Sequence, residues 1–273
     1  MQIKLMSTIK QTKPIVVIKI GGSLLGSEDT TLEDVVKMQK DGSSPVVIHG
    51  GGPIISDWMK KQGTQPSFVR GLRVTDQESM DIVSAVLAGL VNKQLVSSIQ
   101  ALGGKVIGIS GVDGQILQSN ILDSDLGQVG RIVNVNTDFL MTCIENGYIP
   151  VISPIGVEID DNRNPTGTIL NINGDTAAGE IACSLKCESI IFLTDVAGIL
   201  DQDRNLIADI NRDGIKKLID EKIVEGGMIP KVEACIRALD GVNIARIMDG
   251  RNKNALLSLN SEDKIGTSIT SIR

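Results

Sequence analysis

Short apolar runs closed by glycine alternate along this chain with longer stretches of helical periodicity. Ile15–Ile20 (IVVIKI) reads as a strand ended by Gly21-Gly22, and 45–49 (PVVIH) as a second ended by Gly50-Gly51-Gly52. Pro53 then falls where a first helical turn tolerates a missing N–H, so 54–62 reads as a helix. The strongest helical segment is 77–102. There Ile82, Val83, Val86, Leu87, Leu90, Val91, Leu95, Ile99 and Leu102 recur at spacings of three and four, and Gly103-Gly104 ends it. Residues 105–110 (KVIGIS) and 149–153 (IPVIS) read as strands, 137–146 as a helix closed by Gly147, and 160–168 (DDNRNPTGT) as a turn between two short strands. A small-residue helix is predicted over 175–186. The near-continuous apolar run 189–194 (SIIFLT) follows as a central strand, with a helix over 231–239 and weaker strands at 243–248 and 268–272.

This alternation predicts an α/β fold, a three-layer αβα sandwich with a mainly parallel central sheet. A length of 273 residues fits one domain, 1–273, in two lobes, 1–186 and 187–273, divided where the second set of strands begins.

Composition narrows the function classes. Aromatics make up only 2%, so Ile, Val, Leu, Ala and Met must build the core, and aromatic stacking is no main recognition device. The net charge is −6 and no basic stripe is present, which argues against nucleic acid or a membrane surface as partner. Cys143, Cys183, Cys187 and Cys235 form no CxxC pair, and with a single histidine no metal-ligand spacing arises. Reduced, buried thiols in a cytoplasmic protein are expected. No apolar run approaches the about 20 residues of a membrane span. The segment 1–13 lacks an apolar stretch and reads as a frayed tail or short helix rather than a signal peptide.

Candidate chemistry sits in glycine clusters at strand ends, where backbone N–H groups can approach an anion without a Cβ between them. Gly21-Gly22 and Gly50-Gly51-Gly52 match neither a Walker A loop nor a GxGxxG fingerprint, and each alone reads equally as plain turn geometry. Lys19, inside an apolar strand, is either a snorkelling lysine on an edge strand or a phosphate contact. Lys231 opens a helix after Gly226-Gly227, as an ordinary loop residue or as a second phosphate contact. In Asn171-Ile172-Asn173-Gly174-Asp175, either Asn173 or Asp175 could simply cap the following helix. Arg73 suits a bidentate grip on a carboxylate or a surface salt bridge. The stretch 195–200 shapes a nucleotide pocket or forms a plain turn.

Taken in order, IKIGGSLL (18–25), VIHGGGP (47–53), GLRVTD (71–76), NINGDTAA (171–178), LTDVAGIL (193–200) and GGMIPK (226–231) resemble the amino acid kinase family over nearly the whole chain. Within it, GLRVTD is most similar to the members that phosphorylate N-acetylglutamate. The resemblance implies transfer of the γ-phosphoryl of ATP, arriving with Mg²⁺, onto the γ-carboxylate of N-acetyl-L-glutamate, in arginine biosynthesis. It implies that Lys19 and Lys231 contact the phosphoryl group and that Asp175 holds both lysines. Gly21, Gly22, Gly51 and Gly52 would donate N–H bonds to phosphate and acceptor oxygens. Arg73 would take the substrate α-carboxylate and Asn171 the acetamido end, with Asn173 also binding the substrate. Asp195, Val196, Ala197, Gly198, Ile199 and Leu200, with Ile223, Val224 and Glu225, would border the adenine nucleotide. The lobe 1–186 would then bind the acceptor and 187–273 ATP. Gly174 departs from the alanine expected before the aspartate, which would loosen the loop. Fourteen residues precede Ile15, where arginine-sensitive members carry a long helix, so a homodimer without strong arginine feedback is expected. The alternatives are a family member acting on an aminoadipate acceptor and a non-catalytic regulator. The regulator reading predicts loss of a phosphate-handling cation, and both lysines are present.

Overall fold

In the computed structural model, residues 13–22, 30–260 and 265–271 are described. The segment 1–12 and the residues 23–25 of the first motif lie outside them.

The aliphatic runs assemble an eight-stranded sheet. Its order is β12 (Asp209–Asn211), β14 (Thr267–Thr270), β13 (Ile244–Asp249), β11 (Ser189–Thr194), β1 (Ile15–Ile20), β2 (Ser44–His49), β8 (Ile149–Ser153) and β5 (Val106–Ser110). Every pair is parallel except β13–β14. The predicted strands are thus present, and 189–194 is central. All six residues of β11 are buried, as a strand covered on both faces requires.

Alternation along the strands divides the core into two apolar layers. Val17, Val46, Ile48, Ile190 and Phe192 face one side, and they pack with Ala177, Ala178 and Ile181 of α6 (Gly174–Leu185) and Val232 and Cys235 of α8 (Ile229–Ala238). Ile18, Val47, Ile191 and Leu193 face the other side, against α1 (Thr31–Lys40) and the long helix that follows Asp76. That is the expected three-layer arrangement.

The long helix runs Gln77–Ala101 but is not uniform. It comprises α3 (Gln77–Ser84), a π-helical segment Ala85–Val91, and α4 (Asn92–Ala101). Asp76 caps it by accepting the Ser79 N–H at 2.8 Å. By length and composition this helix could cross a membrane, contrary to the expectation that no such run exists. Its Val83, Val86, Val91 and Ile99 are buried in the core, and it serves as the inner helix of one layer.

A second, four-stranded sheet was not anticipated: β10 (Pro165–Asn171), β9 (Ile155–Ile159), β6 (Leu117–Ile121) and β7 (Gly130–Val135). The runs LQSNI and GRIVNV are half solvated and carry too few apolar residues to register as strands. The turn expected at 160–168 is shorter, 160–164, with 165–168 already in β10; it joins β9 to β10, with Asp160 accepting the Asn162 and Asn164 N–H groups at 2.9 and 2.8 Å. A hairpin of β3 (Phe68–Val69) and β4 (Leu72–Arg73) turns at Arg70-Gly71, whose φ values are 51° and 79°. Glycine suits the second of these positions because it enters that region without a Cβ clash. The remaining helices are α2 (Gly52–Lys61), α5 (Asp138–Glu145) and α7 (Arg212–Asp220).

The small residues of α6 have a packing reason. A Cβ at Gly179 would lie 2.7 Å from the Ala234 carbonyl oxygen and 3.1 Å from its Cα, so α6 and α8 cross almost backbone to backbone. The two helices carry Asp175 and Lys231, and this crossing sets the distance between them. In an unconstrained helix Gly→Ala stabilises by up to about 1 kcal/mol. Here Gly179→Ala is expected to destabilise by about 1–3 kcal/mol through overpacking and to lower turnover. A higher melting temperature for the variant would contradict the close crossing.

Candidate active site

Lys19 is the fifth residue of β1, flanked by β11 and β2, so it is not on an edge strand. The two-residue period puts it on the Val17 side, under the N-terminus of α6. There Asn173, not Asp175, caps the helix: its side-chain oxygen accepts the N–H groups of Asp175 and Thr176 at 2.9 and 3.0 Å. The Asp175 carboxylate is left for cations. Lys19 Nζ lies 2.7 Å from Asp175 Oδ1, an ionic contact off the ideal hydrogen-bond direction. Lys231 Nζ donates to Asp175 Oδ2 at 3.1 Å and to the Gly227 carbonyl at 3.3 Å.

All three side chains are largely withdrawn from solvent. Burial alone would raise the Asp175 pKa, but the two ammonium groups outweigh it and hold the carboxyl below its usual range. Burial pushes the Lys19 ammonium pKa down; Asp175 opposes that and Lys231 adds to it. Two lysines against one carboxylate leave one surplus positive charge in a poorly hydrated place, which favours an anion beside it.

The two glycine loops abut. A Cβ on Gly22 would come within 3.0 Å of Gly51 N and 3.3 Å of Gly52 N, so glycine is required by the close approach. The Gly21 N–H bonds to Leu193 O at 3.1 Å and the Gly50 N–H to Ile20 O at 2.9 Å, so both continue the sheet. Among the described residues the N–H groups of Gly22, Gly51 and Gly52 have no partner. Of the expected donors, Gly21 is therefore already engaged.

A cavity of about 190 Å³ opens beside these loops, lined by Gly51, Gly52, Arg73, Asn171, Asn173 and Gly174, among others. Among the described residues Arg73 forms no salt bridge. It is buried, donates to Gly52 O (3.0 Å) and Ser56 Oγ (2.8 Å), rests on Met59 Sδ, and stacks 4.8 Å from the Phe68 ring centre. Its partners are neutral, so its charge remains available to a ligand. Asn171 Nδ2 donates to Thr75 Oγ1 at 3.1 Å, which leaves its amide oxygen as an acceptor. A Cβ at Gly174 would meet only ordinary contacts, the nearest Lys19 Cε at 3.6 Å, so the expected alanine would fit and glycine opens no gap.

A larger cavity, about 620 Å³, lies beyond β11. Val196, Gly198, Ile199 and Leu200 line it together with Ile223, Val224 and Glu225. Asp195 and Ala197 do not, and Gly21 and Gly22 line neither cavity. Sequence reasoning missed Asp201, Arg204 and Lys222 on its walls, because they lie in polar stretches without a motif. Lys19, Asp175 and Lys231 line neither cavity, but a neighbour of the cluster lines each. A Cβ on Gly174, which lines the smaller, would lie 3.6 Å from Lys19 Cε, and Lys231 donates to the carbonyl of Gly227, the residue before Met228 of the larger.

The profile described as Amino acid kinase family matches residues 14–248. An acetylglutamate kinase of Caldanaerobacter subterraneus subsp. tengcongensis is 45% identical over 264 residues, covering 93% of this chain and 86% of that protein. The acetylglutamate kinase of Dehalococcoides mccartyi is 38% identical over 265 residues, covering 97% of each. The crystal structure of smu.665 from Streptococcus mutans UA159 matches with a TM-score of 0.80 at 28% identity, over 94% of this chain and 99% of that one. A match of this extent, together with relatives well above 30% identity over nearly their whole length, settles the kinship: the chain belongs to the amino acid kinase family.

Proposed function

We propose that this protein phosphorylates the γ-carboxylate of N-acetyl-L-glutamate with ATP, giving N-acetylglutamyl 5-phosphate and ADP, the second step of arginine biosynthesis. The carrying observation is the buried Lys19–Asp175–Lys231 cluster, with its surplus positive charge, next to Gly174 of the small cavity and, through Gly227, to Met228 of the larger one. The names of the relatives support the acceptor.

In this reading the smaller cavity takes the acceptor. Arg73 holds its α-carboxylate and the Asn171 amide oxygen accepts the acetamido N–H. The larger cavity takes the nucleotide. Residues up to 186 then serve the acceptor and later ones ATP, although both halves share one sheet. Mg²⁺ enters as part of the nucleotide substrate, held mainly by phosphate oxygens and water. The reading takes the enzyme to be a cytoplasmic homodimer.

The chemistry needs no base, because the attacking carboxylate carries no proton. Its oxygen forms a bond to the γ-phosphorus as the bond to the bridging oxygen of ADP breaks. What the site must supply is position and positive potential. Lys19 and Lys231 flank the moving group from two elements, and Asp175 fixes both amines. The N–H groups of Gly22, Gly51 and Gly52 neutralise oxygens that would otherwise repel one another.

A coupled assay offering acetylglutamate, aminoadipate derivatives, aspartate and UMP tests the acceptor. Acyl phosphate trapped as hydroxamate is expected with acetylglutamate, and binding without turnover would overturn the reading. Lys231→Ala is expected to lower kcat by about a hundredfold or more while the ATP KM changes far less. Comparable losses in both would contradict a role in the transition state. In the free enzyme the Lys19 amine titrates below the ordinary lysine value of 10.5, and bound phosphates raise it again. Rising pH removes the ammonium, so kcat/KM for ATP is expected to fall at a lower pH than kcat. Coincident alkaline limbs would remove Lys19 from the nucleotide.

A further inference from the structure

His49, the single histidine of the chain, ends β2 and is fully buried beside the acceptor cavity. Its Nδ1 lies 2.8 Å from the Gly50 carbonyl oxygen. A carbonyl can only accept, so Nδ1 carries the proton and Nε2 keeps a lone pair. The side-chain amide of Asn92, also fully buried, directs Nδ2 at that lone pair from 3.3 Å. The same Nδ2 reaches the carbonyls of Val151 (2.9 Å) and Ile109 (3.2 Å), while Asn92 Oδ1 accepts from Lys93 Nζ at 3.0 Å. The two hydrogens of that amide are shared among three acceptors, and with Lys93 donating to Oδ1 all four contacts fit one amide orientation. Burial pushes the His49 pKa down to about 4, against the pull of the Gly50 carbonyl, so the ring is neutral at any working pH.

The consequence falls on the peptide that follows. In a trans peptide the C=O and N–H point opposite ways. With the Gly50 oxygen held by the imidazole, the Gly51 N–H points away from that ring, and the Gly51 nitrogen lies beside Gly22, 3.0 Å from where a Cβ there would stand. Three consecutive glycines have no side chains to fix their own peptide planes. The imidazole supplies that constraint from outside the loop.

Asn92 owes its place to the π-helical segment just before it. An inserted residue turns the rest of a helix by about 100°, which aims Asn92 at the strand ends. The same segment presses Leu87 onto the loop: a Cβ on Gly51 would lie 2.6 Å from Leu87 Cδ2.

We infer that His49, held by Asn92, is a positioning residue that sets the Gly50–Gly51 peptide so that the Gly51 N–H addresses the reacting oxygens. This rests on the proposed role of Gly51 as a donor.

The test compares two variants with the unmodified enzyme. His49→Phe keeps an aromatic ring without the donor, and His49→Asn keeps a donor near the position of Nδ1. His49→Phe is expected to lose about tenfold to a hundredfold in kcat/KM for acetylglutamate, with the ATP KM changing less than about threefold. His49→Asn is expected to recover most of that loss. The ¹⁵N imidazole spectrum of the unmodified protein should show a protonated Nδ1 and a bare Nε2 through neutral pH. Unchanged kinetics in His49→Phe, equal losses in both variants that track their melting temperatures, or a proton on Nε2 would each overturn the inference. Should His49→Phe fail to fold, the asparagine variant and the imidazole spectrum decide. Absence of acyl phosphate from the unmodified enzyme would instead defeat the proposed function, and the spectrum would still test the peptide anchor.

Discussion

Two ammonium groups share one carboxylate in a place with little water, and the rest of the molecule is organised around that imbalance. Asp175 alone would be costly to bury ionised, and so would either lysine. Together they leave a single positive charge that only an anionic ligand can balance. The carboxylate keeps two like charges at a fixed separation, and in the proposed function the phosphoryl group in transfer carries its charge beside them. Here stability and function draw on the same contacts: the ion pairs that make the lysines tolerable in the core also aim them.

The sheet and its helices exist, at this end, to keep that cluster and the glycine loops in register. β1 and β2 bring Lys19 and His49 to corresponding depths, since Ile20 is the register partner of His49. The chain then leaves both strands through glycine, and the two loops approach more closely than any Cβ would permit. α6 reaches Lys19 because its Asn173 takes over the capping duty. α8 reaches Asp175 because Gly179 and Ala234 let the helices touch. An acidic protein of net charge −6 thereby concentrates local positive potential on two lysines, one arginine and a few N–H groups.

Much of this was legible beforehand, and the reasons differ by element. The buried strands and the long helix showed themselves through uninterrupted or regularly spaced aliphatic residues, because burial on both faces or along one stripe demands them. The half-solvated strands β6 and β7 were invisible, since one wet face removes the apolar signal. The short charged helices α1 and α7 are not picked out, although Ile215, Leu218 and Ile219 of α7 stand at helical spacing on its core side. Around the site, Arg73 and Lys231 were picked out as charges beside glycine, but nothing local distinguished Asn173 from Asp175 as the cap. Asp195 and Ala197 were grouped with their neighbours because the motif is continuous, although only some of its residues turn toward the larger cavity.

The sequence by itself determined the buried strands and the long helix, where the chain must turn through glycine, and which few cations sit next to those turns. All of these follow from forces that act over a few residues: burial of one face, steric freedom at a turn, and the cost of a charge in an apolar run. Tertiary structure alone decided that Lys19 and Lys231 meet on one carboxylate, that the Gly21 N–H is used by the sheet, and that a buried histidine–asparagine pair grips the second glycine loop. Those facts depend on strand register, helix crossing distance and the turn of a π-helical segment. They are set by how whole elements pack against one another, and no stretch of neighbouring residues encodes them.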